Sequence, residues 1–127
     1  MPTRKPILSP LARAIYGLLR RTLRSDRAAG CITYGELAAA LRAAGYPSMI
    51  PRNRLMHVAL GEVTRACQAQ RLPVLPAIVW RRDRARPGDQ YYPLAHPAAR
   101  TAEAQRSAWK REHDRVVAAS ARYPPSV

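Results

Sequence analysis

The chain has 127 residues, a length that fits one domain. Its 22 basic side chains outnumber its 8 acidic ones and give a formal net charge of +14, which favours a polyanionic partner, above all duplex DNA. Two cysteines form neither a disulfide framework nor a metal-ligand spacing, and neither a signal peptide nor an apolar run of about 18 residues is present. We therefore expect a cytoplasmic protein, nucleoid-associated if it binds DNA, with no membrane span.

The first part of the chain predicts a mobile basic arm over residues 1–8 and then an amphipathic helix. Ser9 and Pro10 suit the N-cap and the first turn of that helix. Apolar residues then recur at helical spacing, at Leu11, Ala14, Ile15, Leu18, Leu19 and Leu23. The arginines of this segment lie off the apolar stripe, so we expect them on a solvated face that also touches a DNA backbone.

The segment Ile32–Ala38 marks the start of a second helix. Thr33 and Glu36 have the spacing of a capping box, in which each residue satisfies a backbone N–H of the other. Gly45, followed by a tyrosine and a proline, predicts the end of this helix. Tyr34 has two open interpretations, a contact to a DNA phosphate or an aromatic plug between two helices.

A third helix is predicted from Pro51 or Arg52 to about Gln70. Its first turn carries three residues of the types that read bases and bind phosphate, and a histidine lies one turn on: Arg52, Asn53, Arg54 and His57. A solvated first turn is the alternative, and His57 either faces the groove or fills a gap. The predicted buried stripe of this helix is Leu55, Val58, Ala59, Val63, Ala66 and Cys67.

A β-hairpin is predicted next, with a strand at Ala77–Arg82 and a returning strand at Gln90–Tyr92. Pro87, Gly88 and Asp89 provide the turn signal between them. The tip would present four arginines, at Arg81, Arg82, Arg84 and Arg86. They form either a basic wing that grips DNA phosphates or the minor groove, or an ordinary solvated tip.

The last predicted helix covers residues 97–122, and residues 123–127 form a tail. Its narrow apolar stripe is Trp109, His113, Val116 and Val117, which packs on the core or forms a surface for a protein partner. The predicted fold is thus mainly α with a small β-hairpin, a winged helix-turn-helix domain over residues 9–96 followed by a C-terminal helix.

Two blocks of sequence, Ile32–Ala38 and Arg54–Leu60, and the order of the elements resemble the DNA-binding domain of O6-alkylguanine-DNA alkyltransferases and alkyltransferase-like proteins, over roughly residues 11–92. The resemblance implies that Tyr34 contacts the DNA backbone and that Arg54 enters the base stack as a base flips out. His57 stands where the family usually has glycine. The Pro-Cys-His-Arg motif of the transferases is absent, with Leu75–Val79 in the corresponding region, which excludes a transferase.

We therefore expect a non-enzymatic DNA-binding protein, without cofactor or metal, in which the first turn of the third helix enters the major groove. Tyr34 and the wing would hold the backbone, and a homodimer would lengthen the short site that a single module reads. An enzyme is disfavoured because the acidic residues are scattered and His96 and His113 are isolated. The alternative is a small basic interaction protein of a phage or mobile element that modulates a host nucleic-acid-processing complex, gripping it through the C-terminal helix.

Overall fold

The structure, a computed structural model, describes residues 8–25, 31–51, 53–81, 87–88 and 91–125. These residues form helices α1 (Pro10–Arg24), α2 (Tyr34–Ala43), α3 (Arg54–Ala69), α4 (Tyr91–Ala95) and α5 (Ala102–Ala118), strands β1 (Ile32–Thr33) and β2 (Val79–Trp80), and 3₁₀ helices at Leu75–Ile78 and Ser120–Arg122. The prediction of a mainly α fold with a small β element is confirmed. None of the helices in these ranges is both long and apolar enough to cross a bilayer.

Helix α1 is fixed to α3 at its first turn. The Ser9 hydroxyl oxygen accepts the Ala12 N–H at 3.2 Å, as the predicted N-cap requires. Glu62 of α3 in turn accepts from the Ser9 N–H at 3.2 Å and from the Ser9 hydroxyl at 2.9 Å. The carboxylate therefore lies at the positive end of the α1 dipole and ties the two helices together. One face of α1 supplies core residues, among them Ile15, Tyr16 and Leu19.

Helix α2 has the two ends that its sequence predicts. The Glu36 N–H donates to the Thr33 hydroxyl oxygen at 3.1 Å, and the Thr33 N–H donates to the Glu36 carboxylate at 3.0 Å, which completes the capping box. At the other end Gly45 has a φ of 107°, in the left-handed region that glycine tolerates. The Tyr46 N–H then reaches the Leu41 carbonyl at 3.0 Å and closes a Schellman motif.

The sheet differs from the predicted hairpin. Strand β2 pairs in parallel with β1, with Ile32 opposite Val79 and Thr33 opposite Trp80. The observed strand β2 is also shorter than the predicted strand, because Ala77 belongs to a 3₁₀ helix. The predicted returning strand is wrong, because Tyr91 and Tyr92 open helix α4, which packs against α3 and buries both rings. The predicted tip residues Arg82, Arg84 and Arg86 lie outside the described residues.

The C-terminal part of the chain packs on the core. Helix α5 begins later than predicted, at Ala102, where the Thr101 hydroxyl oxygen caps it by accepting the Ala104 N–H at 3.0 Å. The Trp109 indole N–H donates to the Ala77 carbonyl at 2.8 Å, and both Trp109 and Val116 are buried. The predicted tail begins with an anchored residue, since Tyr123 is buried and its hydroxyl donates to the Pro73 carbonyl at 2.6 Å.

Candidate nucleic-acid interface

The parallel pairing brings two predicted backbone contacts to one edge of the sheet. Thr33 lies opposite Trp80, so the residues that follow them, Tyr34 and Arg81, leave the sheet in the same direction. Tyr34 begins α2, and Arg81 leads into the segment predicted to be the wing. The sequence placed both residues in the interface without indicating that they follow paired residues of one sheet.

Tyr34 is packed from two sides at this edge. Its ring centroid lies 5.3 Å from that of His57, and its hydroxyl oxygen accepts the Gly88 N–H at 3.0 Å. A Cβ added at Gly88 would lie only 3.3 Å from the Tyr34 hydroxyl oxygen, so the absence of a side chain there permits the close approach. Of the two interpretations of Tyr34, packing between elements is therefore observed, and the contact to a phosphate stays a prediction.

The cavity beside Tyr34 bears on the flipped base that the family resemblance implies. It is lined by Tyr34, His57, Leu60 and Tyr91, among others, and has a volume of about 40 Å³. One water molecule needs about 10–15 Å³ of such space, so the cavity has room for only a few waters. A nucleobase does not fit this cavity in the arrangement that the structure describes.

The residues predicted to contact DNA at the first turn of α3 differ in their surroundings. Some make contacts within the fold, and one is exposed. The Asn53 side-chain oxygen accepts the Leu55 N–H at 2.8 Å, so this side chain caps the helix, and its contact to a base stays a prediction. Arg54, the first helical residue, is exposed. The His57 ring nitrogen Nε2 lies 3.0 Å from the Pro51 carbonyl, to which it donates, so His57 packs between Tyr34 and the turn before α3, and its contact to DNA stays a prediction. Arg52 lies outside the described residues.

The outer face of α3 differs from its predicted stripe. Leu55 and Val58 were expected in the core, but 66% and 52% of their surfaces are exposed. The buried stripe instead uses Met56 and Leu60 together with the predicted Ala59, Val63, Ala66 and Cys67. Because residues three and four apart share a helix face, Arg54, Leu55, Val58 and Arg65 are all presented outward. The sequence missed this surface because apolar side chains line most of the helix.

The fold brings together a thiol and an imidazole that the sequence treated as isolated. The Cys31 sulfur lies 3.1 Å from His113 Nε2, although 82 positions separate the two residues. Burial raises the pKa of the Cys31 thiol, which keeps the sulfur protonated and disfavours a thiolate nucleophile. Across the part of the chain that the structure describes, no three metal-binding side chains come together to hold an ion.

The other end of α3 borders a wide basic cleft of about 470 Å³. It is lined by Arg71, Arg111, Arg115 and His96, among others, and holds the buried carboxylate Glu112. Glu112 accepts the Val74 N–H at 3.0 Å and lies 3.5 Å from the Arg115 guanidinium, so its charge is compensated within the fold. Basic side chains therefore lie near both ends of α3, with Arg54 in its first turn and Arg71 just after its last.

Comparison of the chain with protein-family models, with curated protein sequences and with solved structures finds no match. The resemblance to alkyltransferases thus depends on the blocks Ile32–Ala38 and Arg54–Leu60 and on the order of the predicted elements.

Proposed function

We propose that this chain is a non-enzymatic protein that binds duplex DNA, with the outer face of α3 in the major groove and Tyr34 and Arg81 against the backbone. The observation that carries the proposal is the placement of Arg54. It is the exposed first residue of α3 and lies one turn from His57, whose ring packs at a tilt against that of Tyr34. The first turn of α3, with Arg54, thereby lies near the sheet edge from which both predicted backbone contacts leave.

The charge at the start of α3 supports an anionic ligand. The first turn contains no acidic residue and begins with Arg54, although the positive end of a helix dipole favours a negative charge. A cation there costs about 0.3–1 kcal/mol, and a bound phosphate would supply the missing negative charge. The start of α3 is therefore better suited to a DNA complex than to the free chain.

The two carboxylates of α2 and α3 do not oppose this arrangement. Glu36 accepts the Thr33 N–H in the capping box, and Glu62 is bound to Ser9 at the start of α1. Each serves a helix N-terminus, where a negative charge stabilises the fold. The net charge of +14 attracts a polyanion from a distance, and these contacts keep the carboxylates of this surface occupied.

The alternative, a phage or mobile-element protein that modulates a host complex through its C-terminal helix, has less support. Trp109 and Val116, the main apolar residues of that helix, are buried in the core of this chain and leave Val117 exposed. In the proposed function the protein acts in the cytoplasm on nucleoid DNA, as a monomer or as a homodimer on a longer site.

The test is fluorescence anisotropy with a random-sequence duplex at low salt, comparing wild type, Arg54→Ala and Arg106→Ala. Arg106 is an exposed arginine of α5, so its replacement removes the same charge from another helix. We expect Arg54→Ala to weaken binding about tenfold, because a charge-assisted hydrogen bond contributes roughly 1.5–3 kcal/mol. Arg106→Ala should have a much smaller effect. Equal losses of affinity in the two variants would mean that overall charge, and not the placement of Arg54, determines binding. The absence of wild-type binding would overturn the proposal.

A further inference from the structure

Helix α3 exposes two large apolar side chains beside Arg54. Leu55 is 66% exposed and Val58 is 52% exposed, while Ile50, in the turn that leads into the helix, is 54% exposed. The Asn53 N–H donates to the Ile50 carbonyl at 2.9 Å, which makes that turn tight. We call Leu55 and Val58 the apolar pair of α3. Their positions differ by three, so they are neighbours on one face of the helix.

The surroundings of the apolar pair argue against a protein or a second copy of this chain as its occupant. A standard protein interface buries about 800 Å² on each partner, far more than two or three side chains supply. The pair also lies between Arg54 and Arg65, which are both exposed on the same helix. Two chains of charge +14 that met through this face would bring their arginines together and repel.

A polyanion that also presents small apolar groups fits the same surroundings. Duplex DNA does so in the major groove, where the C5-methyl group of thymine is the apolar group on the base edges. Its phosphates meet the flanking arginines, and its methyl groups meet a leucine or a valine. Charge complementarity and the small size of the pair thus point to the same ligand.

We infer that Leu55 and Val58 read C5-methyl groups of pyrimidines in the major groove, which makes the preferred sites thymine-containing sequences. The inference rests on the proposed DNA binding and adds to it the class of base that the helix prefers. Arg54 next to the pair supplies the polar contact, and an arginine fork is suited to guanine. One methyl group removed from water is worth about 0.8 kcal/mol, or about fourfold in affinity.

The test begins with selection. A random duplex pool is enriched on the full chain over successive rounds, and the enriched duplexes are prepared once with thymine and once with deoxyuridine. The two preparations have the same charge and the same hydrogen-bonding groups and differ in the C5-methyl group. Wild type should bind the thymine form about fourfold more tightly for each methyl contacted. 5-Methylcytosine placed at selected cytosines provides a second probe of methyl contacts.

Two variants test whether the preference for thymine depends on the apolar pair and not on a general change in the protein. Val58→Ala should reduce the preference for thymine over deoxyuridine, and Leu55→Ala should reduce it further because its larger side chain is lost. Val117→Ala is the matched control, since Val117 is an exposed valine on α5 and should leave the preference unchanged. Because all three side chains are exposed, the variants should keep the fold.

The outcomes distinguish the inference from the function on which it rests. Salt-sensitive binding with equal affinities for the thymine and deoxyuridine forms, or without enrichment of any sequence, would overturn the reading of methyl groups and leave DNA binding intact. Absence of binding to every duplex would overturn both. A preference that Val58→Ala and Leu55→Ala leave unchanged would also overturn the inference.

Discussion

The ring of Tyr34 lies 5.3 Å from the imidazole ring of His57, and this contact joins the start of α2 to the start of α3. Two hydrogen bonds extend this contact. The Gly88 N–H donates to the Tyr34 hydroxyl oxygen, and the His57 ring donates to the Pro51 carbonyl. Four chain segments are thus held together where the proposed DNA contacts converge. The first turn of α3 is positioned by these contacts before any ligand arrives, which lowers the ordering cost of binding.

Tyr34→Phe separates the two roles of this tyrosine. The ring keeps its contact with His57, while loss of the hydroxyl should lower the free energy of unfolding by about 1 kcal/mol. If the hydroxyl also donates to a phosphate, DNA affinity should fall about tenfold. Tyr16→Phe is the control, since it removes another packed hydroxyl, which donates to the Pro124 carbonyl. Denaturation and anisotropy on both variants measure the two effects, and equal DNA affinities would leave Tyr34 with a packing role alone.

Glu62→Gln tests the tie between α1 and α3. The amide keeps one acceptor for Ser9 but loses the charge at the N-terminus of α1, so we expect the free energy of unfolding to fall by about 1 kcal/mol. Urea denaturation gives the value. Asp114→Asn, an exposed acidic residue of α5, is the control and should shift stability by less than about 0.5 kcal/mol. A loss of the same size in both variants would mean that net charge, not the contact with Ser9, sets the effect.

Arg71→Gly should stabilise the chain. Arg71 has a φ of 55°, in the left-handed region, and closes the C-terminus of α3 with a Schellman bond from the Leu72 N–H to the Cys67 carbonyl at 2.9 Å. A side chain costs roughly 1–2 kcal/mol there, and glycine removes that cost at the expense of some unfolded-state entropy, for a net gain of about 1 kcal/mol. Arg65→Gly, inside the same helix, should instead lose about 1 kcal/mol. Thermal denaturation that ranks the two variants in the opposite order would refute the strain at Arg71.

His96 predicts a decline in stability on mild acidification. Burial lowers the pKa of His96 from its usual 6.5, with Arg111 acting in the same direction and Glu112 against it. The unfolded chain therefore takes up the proton first, so the contribution of His96 is complete above about pH 6.5 and is lost as the pH falls below that value. The free energy of unfolding, measured from pH 7 to 5, should decrease less steeply in His96→Gln. An unchanged slope would remove His96 as the cause.

Local signals in the sequence were sufficient for three helix ends, the starts of α1 and α2 and the end of α2. Ser9, Thr33 with Glu36, and Gly45 each act through neighbours within a few residues, and the structure contains the predicted hydrogen bonds or backbone conformation at all three places. Capping depends on side-chain type at fixed spacing, which a sequence displays directly.

Contacts between distant segments were not predictable in the same way. The pairing of Ile32 with Val79 and the contact of Cys31 with His113 depend on how helices pack, which no local pattern encodes. Tyr91 suited a strand by intrinsic preference, but it opens α4, and tertiary context overrides such a preference. Leu55 was predicted to be buried because it is apolar, but residue type alone does not tell which side of α3 faces outward.

In the proposed function, the outer face of α3 and the adjacent sheet edge bind DNA phosphates and bases. The most direct measurement is the affinity of the wild-type chain for duplex DNA over a range of salt concentrations. If about six phosphates are neutralised, the logarithm of the association constant should fall with the logarithm of salt concentration with a slope of about −5. A slope near zero, or no binding at low salt, would contradict the account and assign the positive charge of this chain to another kind of partner.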